Sequence, residues 1–366
     1  MEIQRNMESL FFLQFLGAII IILHHLGYPV NVGHLGTTFF FIVSGYLNSY
    51  NIKKRGTFTN VIEYISIIFK KIQRNYCTYV ITIILDAFIW GGQGKYNWGD
   101  LICHFFMLQT VYPIGDKVFL FNVPLWFMAT LSVIYFFLPF MDKYFQKKQP
   151  TLSNASRKYH IKLMLALSVC LMFICVVTVI IEPKSAPYSV WWWLFYISPY
   201  SRIWEFMAGY ILYLIFEECK EGIYLRTNNC VQTILFTIIE IILLLTVLFV
   251  RIKGEIYLTV SILFLVFVFS LKKGYISHLF AINGLQNLGK LSTNMFFWHQ
   301  VIIDFVTIKI ASPHYRVDIS LEDNVVRLLI VVIFTSCVAY SWGKAYMYCK
   351  KSIMTFYNGS VFKTKI

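Results

Sequence analysis

Apolar residues recur in long runs, separated by short polar connections, over most of the 366-residue chain. Each run has about 17–22 residues, which is the length a helix needs to cross a hydrocarbon core ~30 Å thick. An open strand cannot satisfy its backbone in lipid, so the runs predict helices. We therefore expect an all-α, polytopic membrane protein with about ten transmembrane helices, at roughly 8–28, 34–50, 72–90, 121–141, 161–181, 200–217, 231–250, 256–272, 292–311 and 326–347.

The composition supports a membrane protein and argues against a separate soluble domain. Hydrophobic residues make up 58% of the chain and charged residues 14%, whereas soluble domains average about 45–50% and about 25%. No stretch is long and polar enough for a second domain. We expect one transmembrane domain over residues 1–350, followed by a short basic cytoplasmic tail over 351–366.

The net charge of +14 has a topological explanation. In a soluble protein it would suggest a nucleic-acid partner, but here the basic residues fall in the connections between apolar runs. With the N-terminus inside, the inner segments carry 23 of the Lys and Arg residues and the outer segments carry 8. This bias predicts cytoplasmic termini and an even number of spans. We expect a multi-pass protein of the cell membrane, in a bacterium the inner or plasma membrane. The lipid bilayer, and no nucleic acid, is the expected partner.

The eight cysteines include no CxxC pair. Most lie in or beside apolar runs, so we expect neither a metal site nor a disulfide framework.

Two adjacent histidines, His24 and His25, end the first apolar run. Ionisable residues at membrane depth are costly and are candidates for function. One interpretation is that a histidine faces headgroups or caps the helix. The other is that one of them turns into the bundle as a general base, a role for which the imidazole pKa is suited. Adjacent helical residues point about 100° apart, so we expect only one of the two to face a site.

Arg202, Glu205 and His299 are the main candidates among the other ionisable residues in predicted spans, with Asp86, Glu240 and Asp304 weaker. Arg202 and Glu205 are spaced i, i+3 and can form an ion pair on one helix face. They could also line a cavity and hold an acidic or hydroxyl group of a ligand. His299 is either a buried hydrogen-bonding residue between helices or a ligand contact.

A basic cluster, Lys70, Lys71 and Arg74, lies at the expected inner end of the third span. Positive-inside anchoring alone would explain it. Alternatively, these side chains could clamp the phosphates of a cytoplasmic ligand.

Five stretches, taken together and in order, resemble the acyltransferase 3 family of integral-membrane O- and N-acyltransferases. The family's opening helix has a basic residue and a histidine with ten residues between them. The family also has an FF-x-x-SG segment, an RR-x-x-R motif, a P-x-x-R-x-x-E-F-x-x-G segment and an LG-x-x-S-x-x-x-(Y/F)-x-x-H ending. The matching stretches here are FLQFLGAIIIILHH, GTTFFFIVSGYL, KKIQR, SPYSRIWEFMAGYIL and LGKLSTNMFFWHQ.

The resemblance implies residue roles. The family's catalytic histidine falls on His25, and its basic partner position is occupied by Gln14, which can hydrogen-bond but carries no positive charge. Substrate or acyl-CoA binding is expected at Gln14, Ser44, Lys70, Lys71, Arg74, Arg202, Glu205 and His299.

The same resemblance implies an acyl-CoA donor, usually acetyl-CoA, used as a substrate without a bound cofactor. The acceptor would be a hydroxyl of a cell-envelope or exported polysaccharide sugar. We expect a stand-alone transferase without the SGNH-type hydrolase domain that many family members append. His25 would deprotonate the acceptor hydroxyl as general base.

Two other classes remain open from the sequence. Intramembrane Arg, Glu and His residues would also suit a proton-coupled transporter or flippase of a glycan or small metabolite. However, we see no inverted repeat between the two halves of the chain. A scaffold within a glycan-assembly complex would tolerate loss of all these polar residues.

Overall fold

Helices account for every long regular element in the described part of the chain. The computed structural model describes residues 7–27, 33–55, 60–90, 98–145, 153–224, 230–249, 255–306 and 321–363. The helices are α1 Glu8–His25, α2 Gly33–Arg55, α3 Val61–Trp90, α4 Trp98–Phe105, α5 Leu125–Tyr135, α6 Leu138–Phe145, α7 Ser153–Val176, α8 Val190–Trp192, α9 Pro199–Tyr224, α10 Cys230–Phe249, α11 Glu255–Leu271, α12 Tyr275–Phe280, α13 Asn283–Gly289, α14 Ser292–Phe305 and α15 Leu321–Lys363.

Several of these helices are suited to crossing a membrane. By length and composition, four stretches qualify: Glu8–His25, Arg157–Lys184, Cys230–Phe249 and Leu328–Cys349. A fifth results if α5 and α6, which meet at a 48° bend, form one broken span. The all-helical prediction is confirmed for the described residues, and each predicted span overlaps one of these helices. The expected total of ten crossings goes beyond what length and composition support.

Helices α2 and α9 cross closely at the centre of the bundle, and of the described helices they share the most extensive contact. A Cβ on Gly45 would overlap the Phe206 carbonyl, and a Cβ on Gly209 would overlap the Ile42 carbonyl. Glycine at both positions therefore lets the two backbones touch, as small residues do at membrane helix interfaces. The aromatic ring of Tyr46 is buried beside this crossing.

Helices α3 and α15 extend furthest beyond the predicted spans. The third predicted span begins at residue 72, whereas α3 begins at Val61, so the basic cluster lies within the helix instead of at its start. Helix α15 continues to Lys363, through most of the expected tail at 351–366. No proline interrupts either extension, and polar residues with good helix propensity do not end a helix by themselves.

Glu240 is fully buried in α10 and has a structural role. Its carboxylate accepts hydrogen bonds from the backbone N–H groups of Gly274, Ile276 and Ser277 at 3.1–3.2 Å. These donors belong to the first turn of α12, where helical N–H groups have no partner within the helix. Glu240 thus joins α10 to the start of α12.

The segment between α3 and α5 is fastened to the bundle by hydrogen bonds. The hydroxyl of Tyr79 donates to the His104 carbonyl at 2.8 Å and accepts from Gln109 at 3.0 Å. The indole of Trp193 donates to the Thr110 carbonyl at 3.0 Å. Burial lowers the pKa of His104, so its ring is neutral at pH 7. These contacts position the residues just before α5, which form one wall of the cavity described next.

Candidate active site

A cavity of about 170 Å³ lies where α1 ends and α2 begins. Its polar groups are His24 and His25 from α1 and Thr37 from α2. Its other walls come from the segment before α5, from α5 itself, from the turn that follows α8 and from α14. The apolar and aromatic lining consists of Ile21, Phe119, Val123, Pro124, Trp126, Phe127, Trp192, Tyr196 and Phe296.

The two histidines of α1 both line this cavity, although adjacent helical residues were expected to diverge. Their rings meet edge to face with centroids 5.3 Å apart. Both can reach the cavity because α1 ends at His25, so the cavity lies around the end of the helix instead of along one face. Their environments differ: His24 is exposed, whereas His25 is half-buried.

His299 of α14 lies beside His25, with 5.2 Å between the ring centroids. The His299 ring is fully buried, and its Nδ1 lies 3.2 Å from the Met295 carbonyl oxygen. A carbonyl can only accept, so Nδ1 carries the proton and Nε2 is left as an acceptor. Nε2 has no hydrogen-bond partner among the described residues. His299 therefore brings a buried acceptor next to the His25 ring.

Arg202 and Glu205 form a buried ion pair on α9, with 2.7 Å between Arg202 Nη1 and Glu205 Oε1. Thr38 donates to the same carboxylate oxygen at 3.1 Å, and Arg202 Nε donates to the Tyr196 carbonyl at 2.8 Å. Neither charged residue is among the described residues that line the cavity. The pair instead lies behind the cavity wall. It contacts Thr38, the residue that follows the cavity-lining Thr37, and the backbone carbonyl of Tyr196, whose side chain faces the cavity.

Aromatic side chains form most of the cavity wall, and sequence reasoning did not select them. The rings of Trp126 and Tyr196 lie 5.0 Å apart between centroids, and Trp192 lies 5.6 Å from Tyr196. Phe119 is 5.6 Å from Trp192. The sequence feature that could have indicated this wall is the run of three tryptophans at 191–193. Such a run is also typical of the aromatic belt of a membrane protein.

The basic cluster on α3 divides into two parts. Lys70 and Arg74 are exposed, whereas Lys71 is half-buried. The Lys71 ammonium donates to Asn48 Oδ1 on α2 and lies 5.2 Å from the centre of the Tyr135 ring. Lys71 thus faces the bundle and reaches the half of α2 away from the cavity, whereas Lys70 and Arg74 face outward from α3.

Further polar residues surround Lys71, and sequence reasoning missed them as well. The hydroxyl of Tyr210 donates to Asp142 Oδ1 at 2.6 Å. The Asp142 carboxylate is close enough to Lys71 for their charges to interact. Asn48 and Tyr135 complete this group, which joins α2, α3, α5, α6 and α9. The sequence feature that could have indicated this group is the presence of the polar residues Asn48 and Asp142 in or beside apolar runs.

The cavity and the basic cluster are separated along the bundle. Thr37 at the cavity and Asn48 at the cluster are both on α2, and their positions along its axis differ by roughly 16 Å at 1.5 Å per residue. Two predicted site residues occupy intermediate levels. Ser44 lies on α2 next to the Gly45 crossing, and half-buried Gln14 lies on α1, three turns before His25.

Within the described ranges, no three His, Cys, Asp or Glu side chains are grouped so as to hold a metal ion. Comparison with known proteins gives one result. The acyltransferase 3 family model, described as an acyltransferase domain, matches residues 8–343. No curated protein and no solved structure matches the chain.

Proposed function

Because the chain belongs to the acyltransferase 3 family and is a multi-pass membrane acyltransferase, we propose that it transfers an acyl group from acyl-CoA to a polysaccharide hydroxyl. The acyl group is most simply acetyl, and the polysaccharide is a cell-envelope or exported one. The observation that carries the proposal is the placement of His25 in a cavity at one end of α2, with a basic cluster near the other end.

The donor binds at the basic cluster. Acyl-CoA carries phosphates on its nucleotide and a thioester at the end of a long, thin arm. Lys70 and Arg74 are exposed and can contact phosphates. From there the arm extends along α2, past the half-buried Ser44, and brings the thioester toward His25. Acyl-CoA is a cytoplasmic metabolite, so this arrangement places the cluster on the cytoplasmic side.

The acceptor binds in the cavity. Its aromatic walls offer flat faces with negative π density, against which the C–H groups of a sugar ring pack favourably. Thr37 and His24 add polar contacts among these walls. A sugar hydroxyl directed at His25 would then lie within hydrogen-bonding reach of the imidazole.

His25 acts as general base in the transfer. Its neutral imidazole removes the hydroxyl proton as the oxygen attacks the thioester carbonyl. A C–O bond forms, the C–S bond breaks, and the proton passes from His25 to the departing thiolate, which leaves as free CoA. His299, through its buried ring beside His25, holds the base in position.

The proposal includes the membrane topology. Ten crossings with cytoplasmic termini put the basic cluster inside and the cavity outside. An acyl group can then pass from a cytoplasmic donor to an external glycan without release of either substrate into the membrane. The asymmetric distribution of Lys and Arg supports this orientation.

The test compares two adjacent histidines. His25→Ala should lower kcat/KM by roughly 10²–10⁴-fold, the usual contribution of a general base, whereas His24→Ala should retain most activity. The measurement is CoA release by purified protein with acetyl-CoA and surface glycan, with mass spectrometry of the glycan product. Both variants should elute as wild type in size-exclusion chromatography.

Normal acylation by His25→Ala would refute the role of His25. Wild-type protein that moves a glycan across a vesicle membrane without consuming acyl-CoA would favour the transporter or flippase alternative. If the glycan is unmodified but another hydroxyl compound is acylated, the polysaccharide acceptor is wrong and the transfer chemistry stands.

A further inference from the structure

A lateral groove of about 990 Å³ lies on the outside of the bundle, between α6 and α7. The chain bends by 48° between α5 and α6, so α6 departs from the direction that α5 follows. The half-buried side chains of Ile203, Trp204 and Met207 on α9 form the floor of the gap. The groove is separate from the histidine cavity and shares no lining residue with it.

The walls of the groove are apolar and open to the membrane side of the bundle. Phe140 on α6 is 71% exposed, and Leu165 on α7 is 62% exposed. Along α7 the groove runs from Lys158 to Cys170, a rise of roughly 18 Å at 1.5 Å per residue. That length exceeds half of a ~30 Å hydrocarbon core, so the groove can hold a lipid acyl chain lying parallel to α7.

Lysines occupy one end of the groove only. Lys143 lies in the last turn of α6, and Lys158 and Lys162 lie one turn apart on α7, where i, i+4 residues share a face. The Lys162 ammonium lies 3.9 Å from the centre of the Tyr144 ring and donates to the Tyr144 carbonyl. The aliphatic part of Lys162 can therefore follow the groove while its charge stays at the end.

The charge at this end is strongly positive. Among the described residues of 143–162 the basic ones are Lys143, Arg157, Lys158 and Lys162, and none of the described residues there is Asp or Glu. The nearest carboxylates have partners of their own: Asp142 accepts from Tyr210 at 2.6 Å, and Glu218 lies 3.5 Å from His160. An apolar groove that ends at three lysines is complementary to an amphiphile with an apolar chain and an anionic head.

We infer that this groove binds one anionic phospholipid, with an acyl chain along α7 and its phosphate group at Lys143, Lys158 and Lys162. A phospholipid is the amphiphile that surrounds the protein throughout its life. The groove prefers an anionic head to a zwitterionic one because three lysines line this end and no Asp or Glu is among its described lining residues. The site does not depend on the acyl-transfer reaction.

Native mass spectrometry of detergent-purified full-length protein tests the inference. Delipidated protein is titrated with phosphatidylglycerol or phosphatidylcholine of the same chain length. We expect one phosphatidylglycerol to bind at least roughly tenfold more tightly than phosphatidylcholine, because each lysine near an anionic lipid contributes roughly fivefold. Equal affinity for the two lipids would overturn the inference.

Lysine variants locate the headgroup. The triple change Lys143→Gln, Lys158→Gln and Lys162→Gln should remove the preference for phosphatidylglycerol. A matched triple change to Gln at Lys184, Lys290 and Lys344, which do not line the groove, should retain it. The corresponding Lys→Arg triple in the groove should also retain it, which separates loss of charge from loss of folding. Equal behaviour of the two Gln triples would refute the site.

A groove variant locates the chain. Ala166 is half-buried in the groove wall, so Ala166→Trp should fill the space and weaken phosphatidylglycerol binding roughly as much as the lysine triple does. If a folded Ala166→Trp protein binds phosphatidylglycerol as wild type does, the lipid is held by surface charge alone. That result would show that the groove is not the binding site.

Competition experiments distinguish a bound phospholipid from other possible occupants of the groove. Polyprenyl phosphate is added as a competitor. If it binds more tightly than phosphatidylglycerol and displaces it, the occupant is a lipid-linked acceptor and the inference is wrong. Displacement by acetyl-CoA would make the groove a donor site, with the same consequence. His25→Ala should bind phosphatidylglycerol as wild type does, so failure of the catalytic proposal leaves this result unaffected.

Discussion

The three histidines at the cavity share a residue type but differ in what surrounds them. His24 is exposed, His25 is half-buried and His299 is fully buried with its Nδ1 at the Met295 carbonyl. A proton acceptor in catalysis needs access to substrate and a fixed orientation. His25 combines a cavity-facing position with a buried neighbour, 5.2 Å away between ring centroids. Environment, more than residue type, distinguishes the proposed base from the two other histidines.

The basic cluster leads to a prediction at the same scale. Lys70→Gln with Arg74→Gln should raise the KM for acetyl-CoA several-fold and change kcat little, because exposed cations contribute phosphate binding before and during the reaction alike. Lys71→Gln should instead lower stability by about 1–3 kcal/mol, because it removes the charged donor to Asn48 and the cation near Asp142. Steady-state kinetics and thermal unfolding of purified protein measure the two effects.

The matched control for these variants is Lys290→Gln, an exposed lysine whose nearest described partner is Asn287 on its own helix. It should behave as wild type in both measurements. The opposite pattern, with KM raised by Lys71→Gln alone, would assign phosphate binding to the buried lysine and contradict the division of the cluster.

At the residue scale, sequence reasoning selected side chains by the free-energy cost of placing a polar or charged group in a membrane. That criterion found His25, Arg202 and His299, because each is polar where lipid is expected. It did not indicate that Arg202 lies behind the cavity wall, since burial against Thr38 and Tyr196 depends on how α2 and α9 cross. It did not select the aromatic lining, because an aromatic side chain in an apolar run has no free-energy cost in the membrane.

At the element scale, the α2–α9 crossing determines where the site residues lie. Thr37, Thr38 and Asn48 are on α2, and Arg202, Glu205 and Tyr210 are on α9. The two helices can approach because Gly45 and Gly209 each face a backbone carbonyl of the other helix. A wider crossing would separate Thr38 from Glu205 and would also open the floor of the cavity.

A glycine series tests this crossing. Gly45→Ala or Gly209→Ala should destabilise the protein by about 1–3 kcal/mol or more, because the added methyl group overlaps backbone that cannot rotate away. Both should also reduce transferase activity, since Thr38 and Glu205 separate. Thermal unfolding in detergent and CoA release are the measurements.

Gly284→Ala provides the control, because a Cβ at that position meets no atom within 4 Å. It lies at the start of α13 and should be neutral or slightly stabilising. Unfolding temperatures for Gly45→Ala and Gly209→Ala that match those of Gly284→Ala would show that close backbone contact is unimportant for the fold.

At the scale of the whole molecule, the arrangement is a helical bundle with a polar site near each end. Four helices, or five with the bent pair, qualify as spans by length and composition alone. Helices α2, α3, α9 and α14 carry the polar and charged residues of the candidate site, which lowers their mean hydropathy. Helix α1 qualifies as a span although it carries His24 and His25, because both lie at its very end.

Cysteine accessibility tests the proposed ten-span topology. Single-cysteine variants that retain Cys103, Cys230 or Cys349 are labelled with a membrane-impermeant maleimide in intact protoplasts. We expect Cys103 to react from outside, because it precedes α5 on the proposed outer face. Cys230 and Cys349, which are exposed on the protein, should react only after the membrane is opened. Labelling of Cys230 and Cys349 from outside would contradict the proposed orientation, in which the C-terminus is cytoplasmic.

The sequence by itself determined the helical class, the family and the residue types that carry chemistry. Apolar run length, charge bias and motif spacing are local properties, so they can be read along the chain. The tertiary structure decided which of these residues meet. It placed His299 beside His25, put Arg202 and Glu205 behind the wall, and turned Lys71 toward Asn48. Those relations depend on crossing angles and close glycine contacts between helices far apart in sequence, and no local pattern encodes them.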